Sequence, residues 1–138
     1  IIKDVKIDYK NDWQSLHLKS IQTAYLSSPF YEFYIDALMP FFEKKHTFLF
    51  DLNIKIIETL LNEIQIIQAV EFTNTYQQIY DYGDFRDSIH PKNDHWKNDT
   101  EFKSILYTQV FFKRFTFVPN LSILDLLFNE GPNVTAYL

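Results

Sequence analysis

Three polar residues share one face of an otherwise apolar segment near the carboxyl end of the chain. Ser122, Asp125 and Asn129 recur at the helical period, and all the remaining residues from 121 to 128 are apolar. A helix that is apolar on most sides is normally buried, so its polar stripe should face either a polar cavity or a neighbouring backbone. On the first alternative, we predict that Asp125 is catalytic and that Ser122 and Asn129 bind substrate.

Two more polar residues lie on apolar faces of predicted helices, His17 one turn after Trp13 and Asn53 one turn after Leu49. A buried imidazole is either a hydrogen-bonded core residue, which is the commoner case, or a catalytic acid or base. A buried amide must be hydrogen-bonded, more often to loop backbone than to a ligand. The functional alternative makes His17 catalytic and Asn53 a substrate-binding residue.

Basic side chains come together in residues 84–92, although the whole chain carries a net charge of -5. A guanidinium from Arg86 with the nearby His90 and Lys92 suits a carboxylate or phosphate, and the alternative is a solvated loop of mixed charge. We predict His90 as a second candidate catalytic residue, and Arg86 and Lys92 as substrate-binding residues. The four histidines show no metal-ligand spacing, so no metal site is predicted.

Composition excludes several classes of function. The acidic charge balance argues against nucleic acid as a partner, and two glycines could scarcely form a phosphate loop or a dinucleotide fingerprint. The chain has no cysteine and no apolar run near the roughly 20 residues that span a bilayer, so we expect a cytoplasmic protein. Aromatic residues make up 18% of the chain, and they should fill the core rather than line a pocket. The sequence identifies no cofactor and no oligomeric state.

The pattern of apolar residues predicts a single domain, residues 1–138, of the α+β class, mostly helical with a few short strands. Its unpaired first strand suggests the carboxyl-terminal portion of a larger domain. Asp12 should cap the first helix, Pro40 should break the second near residue 39, and Gly131 with Pro132 should end the last. The predicted helices are residues 12–27, 28–39, 47–64, 101–115 and 121–128, the strands are residues 1–7 and 66–73, and residues 74–99 form a long loop.

Three motifs give the chain a resemblance to a known family: FRxxxHPK at residues 85–92, YxQVF at residues 107–111 and FxPNLSILDLLFNEGP at residues 117–132. With these motifs and the helices around His17 and Asn53, the chain resembles the WbqC-like family, and its variants resemble those of Bacteroidetes members. On this resemblance, we expect the chain to lack the family's amino-terminal part. Members are often encoded among O-antigen and surface-polysaccharide genes, which implies acyl or aminoacyl transfer to a nucleotide-linked sugar. The resemblance also makes Gln109 a candidate substrate-binding residue.

Two hypotheses follow. In the first, the chain is an enzyme-like domain whose partners are small molecules, a nucleotide sugar or an acyl donor, with His17 or His90 as the general base. In the second, it is a non-catalytic binding or scaffolding domain in envelope-polysaccharide assembly, for which a large exposed aromatic patch would be evidence. Convergence of the polar residues on one concave site would favour the enzyme.

Overall fold

A computed structural model describes residues 2–79, 83–86 and 103–138, and within them the secondary structure is helical. Three helices of similar length come first, and two short ones follow near the carboxyl end. They are α1 (Trp13–Tyr25), α2 (Tyr31–Glu43), α3 (Leu49–Glu63), α4 (Phe112–Phe115) and α5 (Ile123–Glu130). Short 3-10 helices occupy Ile2–Asp4 and Gly131–Tyr137.

Capping residues set the ends of the helices, much as the sequence indicates. The Asp12 side chain accepts a hydrogen bond from the backbone N–H of Ser15 and so satisfies one of the free donors at the start of α1. The Ser122 hydroxyl does the same for Leu124 in α5. Gly131 ends α5 with a φ of 54°, a left-handed conformation that glycine adopts without strain.

The core lies where α1 and α3 pack against α2 and where α5 packs against α2 from another side. One cluster of buried side chains joins α2, α3 and α5, and a second joins α5 to the end of α3 and to the last 3-10 helix. Phe128 of α5 is fully buried and contacts the rings of Tyr25 and Tyr31. The aromatic residues therefore do fill much of the core, as their abundance predicts.

The predicted strands do not form within the described residues. Residues 2–4 form a 3-10 helix, and strand-like pairing is limited to one antiparallel bridge between Lys6 and Phe48. The bridge cannot extend because α3 begins at Leu49, immediately after it. Residues 66–73 are β-branched and apolar but have no neighbouring strand there, so their propensity produces no sheet. The α+β prediction is thus confirmed only in its helical part.

Two helix boundaries differ from the prediction by more than three residues, the end of α2 and the start of α4. Helix α2 continues through Pro40 to Glu43. Proline has no N–H to donate to the carbonyl of Asp36 four residues earlier, but Asp36 is an exposed residue, so water can hydrate that carbonyl. In the predicted helix 101–115, residues 103–111 are not helical and α4 is a single turn. The Gln109 side chain ties this segment to the residues after α4, because it pairs with both the N–H and the C=O of Val118.

The chain separates into two compact units. The first comprises residues 1–68 and 106–138 and contains all five helices, and the second comprises residues 69–105. The described residues of the second unit, 69–79, 83–86 and 103–105, have neither helix nor strand. At residues 74–79 and 83–86 this agrees with the predicted loop. Residues 80–82 and 87–99 of that loop lie outside the described residues.

Candidate functional site

An apolar cavity of about 430 Å³ lies inside the first unit, between α1 and α3 with α2 beneath them. Its floor is formed by the buried side chains of Leu38, Phe41 and Leu52. Trp13 and His17 come from α1, and Leu124 of α5 contributes to one end. The remaining lining residues are Ile7, Phe42, Leu49, Asn53, Ile56 and Leu60. This volume falls in the range of small-molecule sites, which are typically apolar with a few placed polar groups.

Two residues singled out by the sequence, His17 and Asn53, line this cavity together. The prediction that they are buried is wrong, since both are exposed and therefore lie at its mouth. Their positions on apolar helix faces were identified correctly. The helical period could not reveal that the space between α1 and α3 is open. Because it is open, the His17 imidazole and the Asn53 amide need no hydrogen-bond partner from the core. Among the described lining residues, His17 is the sole ionisable one.

Aromatic contacts fix the α1 side of the mouth. The imidazole of His17 meets the Trp13 ring edge to face, with 5.5 Å between centroids. Trp13 in turn lies 5.9 Å from the ring of Tyr9, whose hydroxyl donates to the carbonyl of His46 and accepts from its N–H. The ammonium of Lys45 lies 5.4 Å from the centre of the Tyr9 ring. The imidazole is thus held by a row of rings attached to the loop before α3.

Asp125 lies in a different place, buried beneath tyrosines rather than in the cavity. It is 2% exposed, and its Oδ2 accepts a hydrogen bond of 2.7 Å from the hydroxyl of Tyr107. The hydroxyl of Tyr25 in α1 also interacts with this carboxylate. Burial, followed by the nearby carboxylate, raises the pKa of Tyr25 to about 12 and raises the pKa of Tyr107 as well. The cluster joins α1, α5 and the segment before α4.

The other polar residues predicted near the carboxyl end are also engaged within the fold. Ser122 caps α5 and is exposed. The Asn129 amide donates to the backbone carbonyl of Asp125 over 2.7 Å, and Gln109 is 5% exposed with both ends of its amide used by Val118. These three residues and Asp125 are not among the residues that line the cavity. Their predicted substrate-binding or catalytic roles remain untested predictions.

Arg86 belongs to the second unit, where it interacts locally. Its guanidinium pairs with the carboxylate of Asp84, donates to backbone carbonyls of Gln77 and Gln78, and lies over the ring of Tyr76. The hydrogen bonds from Arg86 lower the pKa of Asp84 to about 2. His90 and Lys92 lie outside the described residues. The roles predicted for Arg86, His90 and Lys92 therefore stay predictions.

The apolar lining of the cavity was not singled out as a site from the sequence. The sequence feature that could have indicated this cavity was the excess of aromatic residues, for which a ring-lined pocket was the less favoured explanation. Trp13, Phe41 and Phe42 supply rings to the lining. In residues 2–79, 83–86 and 103–138, no three His, Cys, Asp or Glu side chains are grouped as a metal site requires. Across those same ranges, no helix combines the length and the apolar character needed to cross a membrane.

The fold and the cavity together define a helical domain that encloses an apolar site with an imidazole and an amide at its mouth. The chain belongs to the WbqC-like protein family, whose model matches residues 1–87 and 93–137. The resemblance carried by the three sequence motifs is therefore confirmed at the level of the family. No curated protein and no solved structure matches the chain.

Proposed function

We propose that this protein is an acyltransferase of surface-polysaccharide biosynthesis that holds an acyl group in the cavity and transfers it to the amine of a nucleotide-linked sugar. The observation that carries the proposal is the apolar cavity with His17 and Asn53 as its polar lining residues. An acyl chain needs apolar walls, and its carbonyl needs a polar group at the mouth. Membership of the WbqC-like family supports the proposal through the polysaccharide genes that often surround such members.

The lining favours a plain acyl group over an aminoacyl group. An aminoacyl donor would carry an ammonium group next to the reacting carbonyl, at the edge of the apolar walls, where a carboxylate or several acceptors would have to replace the water that it loses. The described lining residues include no Asp or Glu. Asp125, which could play that part, is instead occupied by Tyr107 and Tyr25. A hydrocarbon chain has no such requirement.

The reaction needs a base for the attacking amine and a donor for the developing oxyanion. In its neutral form the His17 imidazole accepts a proton from the amine while nitrogen forms a bond to the carbonyl carbon. The Asn53 amide donates a hydrogen bond to the carbonyl oxygen, on which negative charge collects. When the bond from carbon to the leaving oxygen or sulfur breaks, the imidazolium returns its proton to that atom. The products are an amide and a free alcohol or thiol.

The test uses an acyl thioester as donor and a nucleoside diphosphate-linked amino sugar as acceptor, with the amide detected by mass spectrometry. We expect amide formation that His17→Gln lowers by at least 100-fold. Asn53→Leu should lower turnover by about 100-fold because it removes the donor to the oxyanion. Lys19→Ala is the matched control, since Lys19 is exposed on α1 and does not line the cavity. Equal activity in His17→Gln and Lys19→Ala would contradict the proposal.

A second candidate is a non-catalytic binding or scaffolding domain in the same pathway. It is favoured by the exposed apolar side chains around α4, where Phe111, Phe112 and Phe115 are 46–55% exposed. Exposed aromatic residues close together in the chain often mark a surface that binds another protein. Acyl binding by the cavity without any amide product would support this candidate over the transferase.

A further inference from the structure

We infer that the cavity selects saturated acyl chains of about eight carbons, and that Leu60 and Leu124 set the upper limit of length. The inference rests on the proposed acyl group as the occupant of the cavity. It adds the class of acyl chain and the residues that limit the length of that chain.

Helix α3 forms one continuous side of the cavity. Leu49, Asn53, Ile56 and Leu60 follow one another at helical spacing, so they lie in a row along the helix axis. With a rise of about 1.5 Å per residue, the distance from Asn53 to Leu60 along that axis is about 10 Å. An extended saturated chain advances about 1.25 Å per carbon, given its bond lengths and angles. The row from Asn53 to Leu60 therefore matches about eight carbons.

The two ends of this row differ. Beyond Leu60 the end of α3 packs against α5 in a hydrophobic cluster that includes Leu126 and Leu127, and α5 places Leu124 in the wall of the cavity. At the opposite end Leu49 is exposed. A chain whose carbonyl lies between His17 and Asn53 therefore extends toward the end closed by Leu60 and Leu124. Its last carbons meet these two leucines.

The wall along this path also restricts the chemistry of the chain. Between the mouth and the closed end the lining is leucine, isoleucine and phenylalanine, with the buried Leu38, Phe41 and Leu52 beneath. A hydroxyl or amino group on the chain would lose its water there and find no side-chain partner. Hydroxylated chains should therefore bind more weakly than saturated chains of equal length.

The test measures binding of straight-chain saturated carboxylic acids of increasing length by isothermal titration calorimetry on the intact chain. Each added methylene should raise the affinity about fourfold while the chain still gains contact with the wall. The gain should stop near eight carbons, and a hydroxyl near the far end of the chain should reduce affinity about tenfold or more. An affinity independent of chain length would overturn the inference.

Substitutions at Leu124 test the limit in both directions. Leu124→Ala should move the longest well-bound chain up by one or two carbons, and Leu124→Phe should move it down. If a melting curve shows that the alanine variant does not fold, Leu124→Val replaces it and should give a smaller shift in the same direction. Leu121→Ala is the matched control, because Leu121 is exposed and lies outside the cavity. A limit that stays at one length in all folded Leu124 variants overturns the inference.

The outcomes separate this inference from the proposed reaction. If the affinity depends on chain length and Leu124 controls it, but no amide forms, the limit on chain length is supported and the transferase is contradicted. If amide formation requires His17 but responds equally to Leu124→Ala and Leu121→Ala, the transferase is supported and the limit on chain length is contradicted. Carboxylic acids report on the cavity alone, so neither result depends on the identity of the sugar.

Discussion

Replacing Tyr107 by phenylalanine should destabilise the fold by removing the hydroxyl that donates a hydrogen bond to the buried Asp125 carboxylate. The Tyr107 hydroxyl donates to Asp125 Oδ2 over 2.7 Å, and Asp125 is 2% exposed. Water therefore cannot replace the lost donor without opening the packing around α5.

The expected cost follows from the charge on the acceptor and from its burial. A hydrogen bond to a charged group contributes about 1.5–3 kcal/mol, so Tyr107→Phe should cost about 2 kcal/mol. For a chain of this length, 1 kcal/mol corresponds to about 4 °C, which gives a melting temperature lower by about 8 °C. Denaturation in urea, followed by circular dichroism, measures the free energy of unfolding directly.

Tyr137→Phe provides the matched control. Its hydroxyl donates to Glu130 over 3.1 Å, and both residues are partly exposed, so the substitution should cost about 0.5 kcal/mol. A double-mutant cycle with Asp125→Asn then isolates the interaction, because the loss caused by Tyr107→Phe should shrink when the carboxylate is absent. Equal losses for Tyr107→Phe and Tyr137→Phe would refute the reasoning.

Three further predictions concern other parts of the first unit. The native state keeps the Tyr25 proton up to a pKa of about 12, whereas the unfolded chain loses it near 10, so the free energy of unfolding should fall as the pH rises from 10 to 12. Tyr25→Phe should flatten that decline, and an unchanged slope would contradict this. Gly131→Ala should cost about 2–4 kcal/mol, because the added methyl meets the ring of Phe30 and the residue has a positive φ. Gly83→Ala shares the positive φ but has open space, so it should cost about 1 kcal/mol, and a loss as large as at Gly131 would rule out the clash. Gln14→Ala should cost about 1–2 kcal/mol because the Gln14 amide donates to two backbone carbonyls at the end of α2; a loss below 0.5 kcal/mol by thermal or urea melts would show that water replaces it.

The helices could be predicted from the sequence where a repeating apolar stripe and a capping residue agree. Asp12 marks the start of α1, and Gly131 marks the end of α5, as local chemistry requires. The strands failed for a different reason. A strand requires a partner that runs beside it for several residues, and only one bridge, at Lys6, is available within the described chain. Propensity in residues 66–73 carries no information about that partner.

The site shows the same limit at the level of side chains. The helical period placed His17 and Asn53 on the correct faces of α1 and α3, yet it predicted burial because such a face is usually covered. Both helices pack on α2, and the space between them stays open. Whether a face is covered depends on how three helices are arranged, which no single helix encodes. The open space is what turns two polar residues into a candidate site.

The polar residues of α5 and the residues of the cavity should respond independently to substitution. Ser122, Asp125 and Asn129 are engaged in a cap, a tyrosine cluster and a backbone hydrogen bond, whereas the cavity receives only Leu124 from α5. Tyr107→Phe should therefore lower the melting temperature and leave the affinity for an eight-carbon carboxylic acid within about twofold. If that affinity instead fell in proportion to the lost stability, the buried carboxylate and the cavity would act as one unit. Asp125 would then have to be counted as part of the binding site.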